Sequence, residues 1–387
     1  MLLIKNANLL SMAGIEYEVC DVLVSDGKIS GIGSFDVGSY EGATVIDAGG
    51  KLVTPGLVDG HCHVGLYQDG ALWAGADGNE LTDPIVPHMR GIDAVKPQDE
   101  AFGEALNTGI TTVVTGPGSG EVIAGTFTAL KTYGKTVYDM LIEEEVAMKI
   151  ALGENPKRCF GNKDKMPCSR MGTAAILREA LTKAQKYREE LKRAQEEDKD
   201  EPKYDAKLHS LMRVFEGMPV KIHAHQQDDI VTALRIMDEF GLHGTIDHCT
   251  EGYLIPEVLA KKEQNIIIGP TIGERSKYEL LNKSFKGGKV YQEHGITFAL
   301  MTDHPVIPLQ HTLAQAAMYV KEGVDPVVML HALTINPARF LGLDQRVGSI
   351  EVGKDADMVI WSGDPFHYMT DAEVVVVNGK VVKNMKV

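Results

Sequence analysis

Two short H-x-H units stand out among the 13 histidines of this chain: His61 and His63 in DGHCH, and His223 and His225 in KIHAH. In a strand successive side chains point to opposite faces, so residues two apart share a face. His61 and His63 therefore aim the same way, with Cys62 turned from them. Paired imidazoles suit Zn²⁺ or a similar divalent ion, which takes neutral ring nitrogen at about 2.0–2.1 Å. Two histidines on a strand can equally pack and hydrogen-bond. Their company changes the balance: His248 in GTIDHCTE and Asp303 in FALMTDHP stand where two further apolar runs end. Buried acids and imidazoles are costly unless paired or coordinated, so such groups gathered at several strand ends point to a metal site. Taken singly, His225, His304 and Asp247 are explained equally well by packing.

Positioning such groups requires strands that end on one rim. From about Gly56 to Leu343 short apolar runs alternate with helical stretches, the pattern of a parallel sheet wrapped by helices. The candidate strands are LVDGHCHV, GITTVVTGPG, EVIAGTFTALK, EVAMKIALG, MPVKIHAHQ, GTIDHCTE, QNIIIGP and ITFALMTDH, the number of an α/β (β/α)8 TIM barrel, whose catalytic groups sit at the C-terminal rim. Before and after this region lie short alternating strands with the turn pairs Asp26-Gly27, Gly49-Gly50 and Asn378-Gly379. Both ends then build one small β domain, residues 1–55 and 346–387, with a barrel over 56–345 inserted into it. The charged stretch 174–216 carries Leu177, Leu181, Ala184 and Leu191 on one side. It reads as an amphipathic helix broken near Glu201-Pro202, and on the loop side of a barrel it could also cover an active site.

With 39 Lys+Arg against 54 Asp+Glu the 387-residue chain has a net charge of −15, which argues against a phosphate-backbone binder and so against nucleic acid as a partner. Hydrophobic residues at 44% and charged residues at 24% are those of a globular protein. Five cysteines, Cys20, Cys62, Cys159, Cys168 and Cys249, make no disulfide framework and suggest a reducing compartment. No run approaches the ~18 apolar residues of a membrane helix, and MLLIKNANLL lacks a secretory signal. A cytoplasmic protein without membrane partners is expected.

The runs GGKLVTPGLVDGHCHVG, KIHAH, IDHCTEG, LMTDHP, LTINPARFLGL and VGSIEVGKDADMVIWSGDP resemble, in order and over nearly the whole chain, the amidohydrolase superfamily of metal-dependent hydrolases, nearest its imidazolonepropionase-like branch. The resemblance implies a (β/α)8 barrel with a small β-sandwich from both chain ends, a homo-oligomer, and a divalent metal, Zn²⁺ first and Mn²⁺ or Fe²⁺ as alternatives, with one or two ions per subunit. It implies His61, His63, His223, His248 and Asp303 as metal ligands. In binuclear members a fourth-strand lysine, carboxylated on its amine, bridges the ions. Lys149 fits that place, Lys131 competes for it, and Glu154 would serve a single-metal site.

The chemistry expected is hydrolysis of an amide-type C–N bond in a small molecule, a cyclic amide, dipeptide or N-acyl amino acid. Asp303 would accept a water proton and pass it to the leaving nitrogen, and His225 would stabilise developing charge. Deamination at an amidine carbon is the alternative reaction, and a non-catalytic barrel is the alternative class. For substrate recognition the loop after the first strand offers Trp73, Asp77, Asn79, Glu80 and Arg90, and the turn Gly116-Pro117-Gly118-Ser119-Gly120 offers Ser119 and backbone N–H groups.

Overall fold

The structure, a computed structural model, describes residues 1–14 and 16–385. Strands β1 (Leu2–Leu10), β2 (Glu16–Ser25), β3 (Lys28–Gly33), β4 (Thr44–Asp47) and β5 (Leu52–Pro55) open the chain. The middle holds β6 (Leu57–Cys62), β7 (Ile110–Thr115), β8 (Ile123–Lys131), β9 (Leu141–Ala151), β10 (Val220–Ala224), β11 (Gly244–His248), β12 (Asn265–Ile268) and β13 (Phe298–Leu300). β14 (Met358–Trp361), β15 (Ala372–Val377) and β16 (Lys380–Asn384) follow.

The two ends of the chain meet in one sheet, ordered β16-β15-β14-β5-β1-β2-β3 with β4 on β1. Its seam is the antiparallel pairing of β14 with β5, Val359 opposite Thr54. Asp26 (φ 52°) with Gly27 (φ 78°) and Asn378 (φ 47°) with Gly379 (φ 72°) form the hairpin turns. Both residues of each pair are left-handed, which an Asx-Gly pair tolerates best and which matches the strand twist. Alternation buries Leu2, Ile4, Val22, Val24, Val374 and Val376 in a core distinct from the barrel's. Trp361 plugs the join: it is fully buried, its indole donates to Thr54 Oγ1 at 2.9 Å, and a Cβ at Gly109 would meet its ring at 2.9 Å.

β6 to β13 are hydrogen-bonded in chain order into a nearly closed barrel. Rim residues carry β13 back to β6, with Asp303 N–H donating to His61 O at 3.2 Å and His63 N–H to His304 O at 2.9 Å. One expectation is corrected: the strands are not all parallel, because β8 runs antiparallel to both β7 and β9. A parallel neighbour needs a crossover of about a dozen residues or more, and only residues 116–122 join β7 to β8 and 132–140 join β8 to β9. The strand must turn straight back, so β8 begins at the rim where its neighbours end and delivers Lys131 to the opposite end.

The charged insertion forms the 28-residue helix Arg170–Glu197, ended by left-handed Asp198 ahead of the expected break at Pro202. Leu177, Leu181 and Ala184 are buried in the main core, with Leu191 partly buried against it. Arg178 pairs with Glu239 at 2.7 Å and Arg170 with Asp229 at 3.0 Å, which tie it to the helix Gln227–Phe240. Among the described residues no helix is long and apolar enough to cross a membrane.

Candidate metal centre

The strand ends bring His61, His63, His223, His225, His248 and Asp303 together as two facing trios. Ligand atoms of His61, His63 and Asp303 lie within 4.8 Å of one another, as do those of His223, His225 and His248. The His61 and His248 rings stand 5.7 Å apart between centroids, so the trios adjoin. Period-two geometry places His61 and His63 on one face of β6, and residue 223 with 225 on one face at the end of β10. The rim turns sharply at two of these positions: His248 has φ 71° and Asp303 φ 54°, a conformation uncommon for non-glycine residues that collects at functional sites.

Hydrogen bonds orient the rings of His61, His63 and His248. His63 Nδ1 lies 2.7 Å from Gly116 O and His248 Nδ1 2.9 Å from Gly269 O. A carbonyl can only accept, so Nδ1 carries a proton in both, which leaves Nε2 of the neutral ring as the ligand atom. His61 Nδ1 lies 2.6 Å from Asp247 Oδ2. Asp247 also accepts from Thr245 Oγ1 at 2.6 Å and pairs with the Lys221 ammonium at 3.1 Å. Burial pushes the Asp247 carboxyl up, but Lys221 and His61 outweigh it and hold it well below the usual range. His61 thus also turns a bare Nε2 inward.

Those lone pairs converge on a carboxylate. Asp303 Oδ1 is 3.1 Å from His63 Nε2 and 3.4 Å from His61 Nε2. Two imidazole nitrogens and a carboxylate oxygen at that spacing form a donor set that a divalent cation can take. Burial, helped by the Lys149 ammonium, brings His61 down to about 4. Burial likewise holds His223, His225 and His248 well below the ordinary histidine value, which keeps all of them in the neutral, metal-binding form at pH 7.

Lys149 is fully buried on β9, its Nζ without a hydrogen-bond partner and 5.6 Å from the Phe127 ring centroid. Burial lowers its amine to about 8. Lys131, its competitor, is carried away by antiparallel β8 and pairs with Asp355 and Asp357. Glu154 belongs to neither trio; it heads the helix Glu154–Gly161 and gives its backbone N–H to Glu279 Oε2 at 3.1 Å.

The substrate-recognition candidates separate. Ser119 is linked to the cluster through Asn155, whose Nδ2 donates to its Oγ at 2.8 Å and lies 3.4 Å from His223 Nε2. Asn79 is occupied within the loop: it donates to the Tyr67 hydroxyl and accepts Gly120 N–H at 2.9 Å. Glu80 is exposed and accepts from Thr82 Oγ1 at 2.6 Å. Both line a cavity of about 570 Å³ beside the loop, lined by none of the clustered histidines. Trp73 is 90% exposed, Asp77 pairs with Lys96 at 3.3 Å and Arg90 with Glu144 at 2.5 Å. In the glycine-rich turn, Gly118 N–H goes to Gly78 O at 2.8 Å, so part of its donor capacity holds the loop.

Sequence reasoning missed Lys221, Glu279, Asn155 and Lys277. Lys221 was signalled by period two, since it precedes His223 by two residues. Glu279 comes from the short turn Tyr278–Leu280, which has no periodicity to read. Its Oε1 lies 3.5 Å from His225 Nε2 and 3.7 Å from His223 Nε2. His304 is buried but bonds through neither ring nitrogen and joins neither trio.

A nearly closed α/β barrel that gathers imidazoles and a carboxylate at its strand ends has a donor set that could hold a divalent metal. This chain belongs to the amidohydrolase family, whose model matches residues 52–385, and within it is imidazolonepropionase-like, acting as a hydrolase on C–N bonds. It is similar to the amidohydrolase tasK of Hapsidospora irregularis, 29% identical over 89% of this chain and 38% of that longer protein. To the imidazolonepropionase of Bacillus velezensis it is 25% identical, over 93% of this chain and 88% of the relative. A crystal structure of an amidohydrolase from Thermotoga maritima superposes with TM-score 0.94 at 39% identity, covering 99% of this chain and 100% of the other.

Proposed function

We propose that this chain hydrolyses the amide C–N bond of a small molecule, a cyclic amide, dipeptide or N-acyl amino acid, with divalent metal, Zn²⁺ first, at the two trios. The observation that carries this reading is the convergence of His61 Nε2 and His63 Nε2 on Asp303 Oδ1. His61, His63 and Asp303 would hold one ion; His223 and His248 a second. A divalent ion there supplies a water acidified from 15.7 toward about 7 and a Lewis acid for the scissile carbonyl. Asp303 moves the proton, taking it from the attacking water and returning it to the leaving nitrogen. Asp247, anchored by Lys221, keeps His61 in the tautomer that faces Asp303. Lys149, the buried amine with no partner, is the group we assign between the two trios in its carboxylated form. Ser119 and Asn155 orient the substrate beside His223.

We further infer a cytoplasmic homo-oligomer, with residues 1–55 and 346–387 as a sandwich-like unit flanking the barrel of 56–345. The five free cysteines support a reducing compartment. The test is a panel of N-acyl amino acids, dipeptides, hydantoins and imidazolones, with ammonia release from purines and pyrimidines followed in parallel. Amide hydrolysis that stops on chelation and returns with Zn²⁺ is expected. Ammonia release alone would move the assignment to deamination.

A further inference from the structure

We propose that, beside His223, His248 and the Lys149 group assigned above, the second ion takes the imidazole of His225 and the carboxylate of Glu279, and that the Lys277 ammonium competes with it for that carboxylate. The proposal rests on the metal-dependent reading above and gives His225 a ligand's role in place of the charge-stabilising one its position suggested.

Spacing is the first support. Glu279 Oε1 is 3.5 Å from His225 Nε2 and 3.7 Å from His223 Nε2, near the separation of neighbouring ligands bound to one ion at about 2.0–2.1 Å, and it stands beside the trio of His223, His225 and His248. His225 Nε2 is buried without a hydrogen-bond partner. The groups are also pre-oriented: Thr250 Oγ1 lies 2.7 Å from His225 Nδ1, Gly269 O holds His248 Nδ1, and the Glu154 N–H holds the other Glu279 oxygen at 3.1 Å. Register supplies the second support. The β9 partner of His223 is Ala151, so at that level the fourth strand presents a methyl group, and it approaches this ion only from the deeper Lys149. The turn after β12 supplies a carboxylate at that level, where β9 offers only Ala151. Charge supplies the third. Glu279 is fully buried and its counter-charge is the Lys277 ammonium at 2.6 Å from Oε1, itself held 3.3 Å from Asn155 Oδ1. A cation entering among the imidazoles would share Glu279 with Lys277 or displace it.

The test is titration of the metal-stripped full chain with Zn²⁺ and with Co²⁺, reading stoichiometry by elemental analysis and ligand number from the Co²⁺ visible spectrum. Glu279→Gln and His225→Ala should each weaken one of two ions by roughly a hundredfold and leave the other intact. Lys277→Met should tighten the same ion by roughly tenfold, a gain that misfolding cannot produce. Two ions bound with unchanged affinity in both Glu279→Gln and His225→Ala would overturn the proposal, as would a single wild-type ion indifferent to Glu279→Gln, or no tightening in Lys277→Met. A wild type that takes up no ion would overturn the metal-dependent reading as well, so the two failures are distinguishable.

Discussion

Adjacent strands of the barrel each bury a lysine, and the two are treated in opposite ways. Lys131, at the end of β8 against the sheet of the chain ends, is met by Asp355 at 2.9 Å and by Asp357, while Lys28 and Arg346 also reach Asp355 at 2.5 and 3.0 Å. Lys149 on β9 has no hydrogen-bond partner, and its Nζ and that of Lys221 lie 5.6 and 5.4 Å from the Phe127 ring centroid. Burying a charge is costly in both places. At the join the cost is offset by acids that lock sheet to barrel, and at the rim it is left open, so the Lys149 amine falls to about 8. Saturated partners mark a structural group; an unpartnered buried one marks a site prepared for chemistry.

The largest expected effect is at the rim. Asp303→Asn should lower turnover by about 10²–10⁴-fold, the worth of a positioned proton carrier, with the melting temperature little changed; near-wild-type turnover in the metal-loaded variant would remove Asp303 from the mechanism. At the join, Lys131→Met should cost about 3 kcal/mol of stability in denaturant unfolding, toward the low end for a broken buried pair because Lys28 and Arg346 remain on Asp355. That cost has a pH signature. Burial raises Asp355, but Lys131 and its other partners outweigh burial and hold it below the ordinary value. A depressed carboxyl contributes stability above its unfolded pKa of about 3.9 and loses it as pH falls through the folded value. The gap between wild type and Lys131→Met should therefore be full at pH 7 and close below about pH 4; a gap that persists in acid would show that packing, not charge, makes the join.

Smaller effects sharpen the contrast further. Asp247→Asn removes the anchor of His61 and should weaken one bound ion by about 10–100-fold, measured by metal titration; unchanged affinity would make the Lys221–Asp247–His61 chain purely structural. Lys149→Met should raise unfolding free energy by about 1–3 kcal/mol, since it deletes a buried amine with no partner, while lowering metal affinity. A loss as large as that of Lys131→Met would place both lysines in the same class.

Much of this was legible in the residues. The turns Asp26-Gly27 and Asn378-Gly379 announce hairpins because their backbone requirement is local, and His61 with His63 announces a shared face because strand period is local too. The direction of β8 was also written in the chain, in the few residues between GITTVVTGPG and EVIAGTFTALK; counting eight strands hid it, although no crossover fits that gap. Asp247 and Lys131 were ambiguous for a different reason. Their partners, His61 and Asp355, lie far off in sequence, and a single position's face does not reveal what it meets across a barrel. Glu279 and Asn155 sit in a turn and at a helix start, where no period distinguishes a buried functional side chain from a solvated one.

The central claim, that the facing trios hold divalent metal for C–N bond hydrolysis, is tested most directly by elemental analysis of the purified chain before and after chelation, with amide hydrolysis followed on the same samples. The expected result is one to two divalent ions per chain, with activity lost as they are removed and recovered on Zn²⁺ addition. Full hydrolysis by a chain stripped of metal would contradict it.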